Sequence, residues 1–357
     1  MEGDLGLDLD GVTARPRPCG TLERMASAPG LGPLAILLLA HGTPDTLDEM
    51  SEYLSKVTGG RALPDEVVKE LQHRYAEIGL RDDPLPGGPP LTRWTLEQGR
   101  LLSEALGEKV YVGMRNWHPY IAETLETMRA DGVRSFRAIC LAPQNSRTST
   151  GLYRSSTAAA SAGMEMDFIS GWADHPLLAD AFAERLTPVY QAACTQMDTT
   201  IPVLFTAHSV PCRTIMTGEA SLTGARPGTP AQATPDPYPV EAKRTAQLVA
   251  ERVGIADSDW FFAFQSQGVS GGPWIGPTVE DTLKALRAAG HSGVVIQPVG
   301  FLCDHVEILY DIDIAFANLA EQLGLRLWRA GSLNDSPTLI RALADIATGN
   351  FAAPESR

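Results

Sequence analysis

The stretches VLFTAHSVP (203–211) and PVGFLCDHVEILYDID (298–313) decide the fold and locate the site of this chain. Each begins as a short apolar run, which is typical of a buried strand. The first then reaches His208, and the second reaches a titratable group that consists of Asp304, His305 and Glu307. In an open parallel sheet, ligands bind in the crevice beyond the carboxyl ends of the strands. We therefore expect a site where an imidazole and a carboxylate bind a divalent metal, move protons, or do both.

The rest of the chain has the rhythm of an α/β protein. Short apolar runs alternate with amphipathic segments, which is the pattern of βαβ units and a parallel sheet. The predicted strands are 34–40, 108–113, 135–141, 166–170, 201–207, 259–265, 293–299 and 325–329. The predicted helices are 45–56, 64–78, 93–106, 119–131, 175–194, 239–253, 278–289, 306–321 and 336–347.

These elements divide into two halves of about four strands each. We expect a disordered tail at 1–33, in which Met25 is a candidate start codon, then one domain at 34–172 and a second at 173–357. The last helix is able to pack on either half. The Gly-, Ala-, Thr- and Pro-rich segment 217–237 predicts a surface loop, either a lid over the site or a tolerated insertion.

Composition limits the partners and the compartment. The net charge of −14 over 357 residues argues against a nucleic-acid partner and against affinity for anionic membranes. Five widely spaced cysteines without a CxxC pair fit free thiols in a reducing compartment. The acidic N-terminus is unlike a signal peptide, and the apolar run 34–40 is too short to span a bilayer. We expect a cytoplasmic protein without stable membrane insertion.

The carboxylates of the second stretch are the most specific feature. Asp304, Glu307 and Asp311 are spaced i, i+3 and i+7, so that a helix would place them on one face. Such a row is usually solvated, but here it follows an apolar strand and is interleaved with apolar residues. An enclosed row of carboxylates would ligate a hard cation or relay protons. His208 alone fits a structural histidine at least as well as a ligand.

Three further side chains are candidates for ligand binding. Trp274 lies in a glycine-rich turn, where it either fills a packing gap or stacks against a flat aromatic ligand. Arg115 follows a strand, where it either holds a ligand carboxylate or forms a surface salt bridge. His41 ends the first strand and should open on the same crevice. The phosphate-binding glycine signatures are absent from the sequence, as is HExxH.

Several segments together resemble the ferrochelatases, which insert Fe(II) into a porphyrin in haem biosynthesis. The resemblance is carried, in order along the chain, by RYAEIG (74–79), GMRNWHP (113–119), LAPQNSRTSTG (141–151), FTAHSVP, Tyr238 with Pro239, FQS…PWIGP (264–277) and PVGFLCDHVEILYDID. It covers about 34–350. The family fold is two Rossmann-like domains, each a mostly parallel sheet flanked by helices, with the porphyrin in the cleft between them. It implies this chelatase fold here.

The resemblance also implies roles for individual residues. His208 and Glu307 correspond to the paired metal-site residues of the family, and either one could be the base or the iron ligand. Asp304 and Asp311 would extend the acidic face, with Asp311 passing protons outward. The porphyrin-binding candidates are His41, Arg115, Trp274 and Arg61. Fe(II) is a substrate, and no cofactor is required.

Departures from the family refine this interpretation. Ala315 replaces a carboxylate that many relatives carry, which implies a shorter relay. His41 stands where some bacterial relatives have a tyrosine facing the iron, so we expect it near the bound metalloporphyrin. Arg147 occupies a cysteine position of the relatives with a [2Fe–2S] cluster, and no cysteine follows Cys303, so a cluster is not expected.

The porphyrin itself is less well defined by the sequence. Segment 57–73, VTGGRALPDEVVKELQH, is shorter and more polar than the apolar lip of membrane-attached relatives. In that it resembles the soluble Gram-positive type, which favours coproporphyrin III slightly over protoporphyrin IX. The alternatives are a cobalt or nickel tetrapyrrole chelatase and a non-enzymatic haem carrier with His41 or His208 as axial ligand.

Overall fold

The computed structural model of the chain describes residues 34–216, 235–268 and 272–351. The predicted tail, 1–33, and most of the predicted surface loop, 217–237, lie outside these ranges.

The described residues form two parallel sheets of four strands each. The first contains β1 (Ala35–Ala40), β2 (Val110–Met114), β3 (Ser135–Cys140) and β4 (Glu165–Ile169), in the order β2-β1-β3-β4. The second contains β5 (Val203–His208), β6 (Trp260–Gln265), β7 (Gly293–Pro298) and β8 (Arg326–Arg329), in the order β6-β5-β7-β8. The eight predicted strands are confirmed, with ends within two residues of the prediction. The fold class is α/β, as predicted.

Helices connect and flank these strands. They are α1 (Met50–Val57), α2 (Asp65–Glu77), α3 (Pro90–Leu106), α4 (Ile121–Ala130), α5 (Thr150–Ala160), α6 (Pro176–Met197), α7 (Cys212–Met216), α8 (Tyr238–Val253), α9 (Val279–Ala288), α10 (Val306–Leu309), α11 (Ala317–Gln322) and α12 (Pro337–Thr348). The predicted helix at 306–321 is in fact α10, a π-helix (Asp311–Phe316) and α11. The predictions missed α5 and α7, and they began α1 five residues too early.

The two halves repeat one local design that the sequence analysis did not identify. Both sheets have the same strand order, and their central strands β1 and β5 continue into AHGTP (40–44) and AHSVP (207–211). In each half the edge strand, β2 or β6, is followed by a segment that contains a cis-proline and hydrogen-bonds back to the end of the strand. The backbone N–H of Met114 donates to the Pro119 carbonyl over 2.7 Å, and the N–H of Phe264 donates to Pro277 over 2.8 Å. Two matching histidines thus stand at the carboxyl ends of the central strands: His41 directly follows β1, and His208 is the last residue of β5.

One hydrophobic core extends across both halves. Because side chains alternate along a strand, one face of each sheet contributes to it. The shared cluster includes Ile36 of β1, Phe205 of β5, Phe182 of α6 and Leu343 of α12. The last helix, α12, contacts both α3 and α6, and Trp172 at the predicted junction is buried. The domain boundary at 172 remains a prediction.

Candidate active site

The carboxyl ends of both sheets face one cavity of about 270 Å³. In each sheet the first strand of the half, β1 or β5, has later strands on both of its sides. The connections that follow neighbouring strands then run in opposite directions, which leaves a crevice at the carboxyl end of that strand. His41 lines the cavity from the first sheet, and His208 lines it from the second. Glu307 lines it from the start of α10.

The first pair of predicted site residues lies in direct contact. His208 Nε2 is 3.1 Å from Glu307 Oε1, and the two side chains are 35% and 28% exposed. His208 Nδ1 faces the Ser209 carbonyl, so both ring nitrogens face acceptors. The Tyr238 hydroxyl donates to the His208 carbonyl (2.9 Å), and the Gln265 amide donates to the Glu307 carbonyl (2.6 Å). Hydrogen bonds to the two backbone carbonyls therefore hold both residues in place, while their side chains face the cavity.

Each residue of the pair stabilises the charged form of the other. Burial lowers the pKa of His208, but the attraction of Glu307 and the hydrogen bond to it outweigh burial and raise the pKa to about 9. Burial raises the pKa of Glu307, but the charge and hydrogen bond of His208, together with His305, hold it well below its usual range. At neutral pH the pair is an imidazolium–carboxylate ion pair.

His305, to which the sequence analysis gave no role, is a third member of this group. Its Nε2 is 3.5 Å from Glu307 Oε2, and its Nδ1 is 3.0 Å from the Cys303 carbonyl. Phe301 packs against its ring at 4.7 Å between centroids. Glu307 thus lies between two histidines, with one carboxylate oxygen toward each. Among the described residues, no three His, Cys, Asp or Glu side chains are arranged to hold a metal ion.

Asp311 lies behind Glu307, at the first position of the π-helix, and is 7% exposed. Burial raises its pKa to about 6, against the lowering effect of a hydrogen bond from the Ser266 hydroxyl. That hydrogen bond is 2.5 Å long, and Arg74 Nη1 of α2 is 3.6 Å from the other carboxylate oxygen. A carboxyl group that titrates near neutrality is suited to accept and release protons.

Asp304 is not where the sequence analysis placed it. The predicted alignment with Glu307 on one helix face is wrong, because the helix begins only at Val306. The Asp304 carboxylate accepts hydrogen bonds from the Ser332 hydroxyl (2.7 Å) and the Asn334 amide (2.9 Å), and it pairs with Arg329 at 3.4 Å. It is not among the residues that line the cavity. These bonds leave it as an anchor of the loop and not as a member of the acidic row.

His41 lines the cavity, but both its nitrogens have partners. Its Nδ1 lies 3.1 Å from the Gly42 carbonyl, and its Nε2 lies 3.0 Å from the Asn116 amide nitrogen. Nδ1 therefore donates to the carbonyl, and Nε2 accepts from Asn116. Burial, with the nearby charge of Arg115, lowers the pKa of His41 to about 4, so the ring is neutral. Iron ligation through Nε2 would require the Asn116 amide to move.

The remaining predicted binding residues separate into two groups. Arg115 and Trp274 line the cavity. The turn with Trp274 is joined to the end of β5 by hydrogen bonds from Ile275 to Val210 (3.0 Å) and from Ser209 to Ile275 (2.8 Å). Arg61 is exposed between α1 and α2 and is not among the residues that line the cavity, so its role in porphyrin binding stays a prediction.

The sequence analysis missed a group of hydroxyls at the start of α5. Ser146, Thr148 and Ser149 line the cavity, as does the buried Tyr153 one turn into the helix. The Arg115 guanidinium lies 6.0 Å from the centre of the Tyr153 ring. A helix N-terminus with hydroxyls and a guanidinium beside it favours anionic groups.

Two parallel sheets have their strands end at one cavity, with an imidazole paired to a carboxylate inside it, and this arrangement fits a metal chelatase. The sequence model of the ferrochelatase family matches residues 33–350. The ferrochelatase of Acidobacterium capsulatum is 58% identical over 315 residues, which cover 88% of this chain and 93% of the relative. The coproporphyrin III ferrochelatase of Geobacillus kaustophilus is 31% identical over 333 residues, which cover 90% of this chain and 97% of the relative. The chain belongs to the ferrochelatase family.

Proposed function

We propose that this chain inserts Fe(II) into a porphyrin at the His208–Glu307 pair, with coproporphyrin III preferred over protoporphyrin IX. The observation that carries the proposal is the contact of 3.1 Å between His208 and Glu307 in a cavity shared by both sheets. Iron and porphyrin are substrates, and no resident cofactor is part of the proposal.

The reaction requires both a base and a metal ligand. A free-base porphyrin loses its two pyrrole protons as Fe(II) enters and sheds water. Glu307 is ionised in the resting protein, but it is a weak base as long as protonated His208 holds its pKa low. Loss of the His208 proton removes the largest lowering influence, and the carboxylate is then suited to accept a pyrrole proton. His208 is protonated at neutral pH and must release its proton before Nε2 can ligate iron. We assign Glu307 as the first proton acceptor and His208 as an iron ligand once it is neutral.

Asp311 is the next proton acceptor in this proposal. It lies one helical turn from Glu307, and its pKa of about 6 leaves it mostly ionised at pH 7. Because Ala315 follows where a further carboxylate would stand, Asp311 is also the last carboxylate of the relay. Asp304 has no part in the relay, since its oxygens are bonded to Ser332 and Asn334.

The substrate preference rests on the anion-binding end of the cavity. Coproporphyrin III carries four peripheral carboxylates and protoporphyrin IX carries two. The hydroxyls at the start of α5 and the guanidinium of Arg115 suit such carboxylates. Trp274 and His41 both line the cavity. In this proposal Trp274 contacts the porphyrin plane and His41 lies near the bound metal.

Two alternative functions share features of this site, and the cellular location is a separate question. A chelatase for cobalt or nickel would use the same pair of residues. A haem carrier would not need Glu307 between two histidines or Asp311 behind it. No helix in the described ranges is long and apolar enough to cross a membrane. A cytoplasmic location stays a prediction from the sequence.

Parallel assays test the preference. In anaerobic assays with Fe(II), we expect a higher kcat/KM for coproporphyrin III than for protoporphyrin IX. Replacing Arg115 with glutamine should raise the KM for coproporphyrin III about tenfold, because it removes a charge-assisted hydrogen bond. Arg61→Gln, which changes an exposed arginine outside the cavity, is the matched control and should leave KM unchanged. An equal or higher kcat/KM for protoporphyrin IX would refute the preference.

Metal binding should release a proton from His208. At pH 7.5 its pKa of about 9 keeps it protonated, so ligation of Zn²⁺, used as a redox-stable probe, should release about one proton per metal ion. The apparent affinity should then rise about tenfold per pH unit up to about pH 9. Calorimetric titrations in buffers of different ionisation enthalpy measure the released protons.

Two variants make this measurement specific. His291→Ala changes a histidine that does not line the cavity and should still release about one proton. His208→Ala should release none. Binding of Zn²⁺ to the unchanged protein without proton release at pH 7.5 would show that His208 is not the ligand, or that it is neutral at rest.

A further inference from the structure

The loop between β7 and α10 positions the site and is held by a residue far away in sequence. Residues 299–305 connect the last residue of β7 to the first residue of α10 and end one residue before Glu307's helix begins. Phe301, Leu302, Cys303 and His305 of this loop line the cavity. Any displacement of the loop moves both His305 and Glu307.

Asn334 holds this loop by three hydrogen bonds. Its backbone N–H donates to the Leu302 carbonyl (2.9 Å), its Oδ1 accepts from the Asp304 N–H (2.9 Å), and its Nδ2 donates to the Asp304 carboxylate (2.9 Å). Asn334 has a φ of 47°, a left-handed conformation that asparagine tolerates better than most residues. The conformation turns both its backbone and its side chain toward the loop.

Gln98 connects the same asparagine to the other half of the protein. It lies on α3, is 1% exposed and lines the cavity. Its Nε2 donates to the Asn334 carbonyl over 2.8 Å. Its Oε1 is buried and has no hydrogen-bond partner among the described residues. The bond to Asn334 therefore fixes the orientation of a buried amide, and it joins a helix of the first half to the loop that precedes Glu307.

We propose that Asn334 and Gln98 are positioning residues for metal insertion, which hold loop 299–305 against α3 and thereby set Glu307 and His305 relative to His208. The proposal rests on the proposed role of the His208–Glu307 pair. It also gives Asp304 a function, since its carboxylate and N–H are the points at which Asn334 holds the loop. The hydrogen bonds of Asn334 and Gln98 join them to each other and to loop 299–305, and not to His208 or Glu307.

The expected effect is on the chemical step and not on binding. Catalytic groups must be held within about 0.5 Å of the productive geometry, and a misplacement of about 1 Å can cost about 10²-fold in rate. The proposed porphyrin-binding residues Arg115, Trp274 and the start of α5 belong to other segments than loop 299–305, so we expect porphyrin binding to persist.

Two variants remove the connections with little change in shape. Asn334→Gly keeps the left-handed backbone and deletes both side-chain bonds to Asp304. Gln98→Met keeps the size of the buried side chain and deletes the bond to Asn334. In steady-state metallation with Zn²⁺ and coproporphyrin III, we expect Asn334→Gly to lower kcat about 30-fold and Gln98→Met about 10-fold. The KM and the Kd for porphyrin should stay within about threefold of the unchanged protein.

The double variant tests whether the two residues act through one network. If they do, its loss should be clearly smaller than the product of the single losses. Arg185→Gln is the matched control, because Arg185 Nη2 donates to the carbonyl of Leu333, next to Asn334, from the same half of the protein. It should leave kcat within about twofold. If Asn334→Gly does not fold, Gln98→Met alone decides the question.

The outcomes separate this inference from the proposed function. An unchanged protein that binds porphyrin but inserts no metal contradicts the proposed function. An active protein whose Gln98→Met variant keeps its kcat, or loses porphyrin affinity in proportion to its rate, contradicts the positioning role. A selective loss of kcat with unchanged Kd supports it.

Discussion

Replacing Glu307 with glutamine should lower metal insertion about 10³-fold, within the range that a positioned general acid or base contributes. The substitution keeps the shape of the side chain but removes the charge that accepts the pyrrole proton. It also removes the main cause of the raised pKa of His208, which should fall from about 9 toward its ordinary value. Single-turnover absorbance measures the rate, and NMR titration of the imidazole measures the pKa.

Porphyrin binding separates this chemical loss from a folding defect. The Kd for porphyrin should stay within about threefold, since Arg115, Trp274 and the start of α5 are unchanged. Glu321→Gln, an exposed glutamate on α11, is the matched control and should keep full activity. Full activity in Glu307→Gln would remove this residue from the mechanism.

Replacing His208 with alanine should reduce the rate by a similar factor, for a different reason. Iron loses a ligand, and Glu307 loses the partner that is the largest influence lowering its pKa. The burial that raises the Glu307 pKa then meets less opposition, so the carboxyl should be protonated over a wider acidic range. The residual activity should therefore rise with pH, with its acidic limb above that of the unchanged protein.

Added imidazole provides the control for His208→Ala. It should enter the space left by the ring and restore part of the activity, which a general structural defect would not allow. A His208→Ala protein with unchanged rate and unchanged pH profile would show that the pair does not carry the reaction.

The fold was predictable because its strands are short apolar runs with clear boundaries. All eight strands were placed correctly, whereas α5 was missed for a physical reason. Its sequence, TGLYRSSTAAA, buries Thr150, Tyr153 and Thr157 toward the protein, so the inner face carries hydroxyls instead of the apolar stripe that identifies a helix. The similarity of AHGTP (40–44) to AHSVP (207–211) indicates that the two halves repeat one design, but the alternation of strands and helices alone does not show it.

The positions of site residues were predictable for side chains at strand ends, but not for side chains whose positions depend on loops. His41, His208 and Glu307 were placed in one crevice because the carboxyl ends of parallel strands meet there. Asp304 was misplaced because its partners, Ser332 and Asn334, are distant in sequence and the helix begins after it. Arg61 does not line the cavity, because the charge of a side chain does not determine which way its loop turns. The π-helix at 311–316 was not anticipated, since local spacing does not distinguish it from an α-helix.

The most direct test of the central claim is anaerobic Fe(II) insertion by the unchanged protein and by the double variant His208→Ala/Glu307→Gln, each first shown to bind porphyrin. The account predicts that the unchanged protein forms the iron porphyrin over many turnovers. The double variant should bind the porphyrin with a Kd within about threefold and form product no faster than the reaction without protein. Insertion by the double variant at the rate of the unchanged protein would contradict the account, as would an unchanged protein that binds porphyrin and never metallates it.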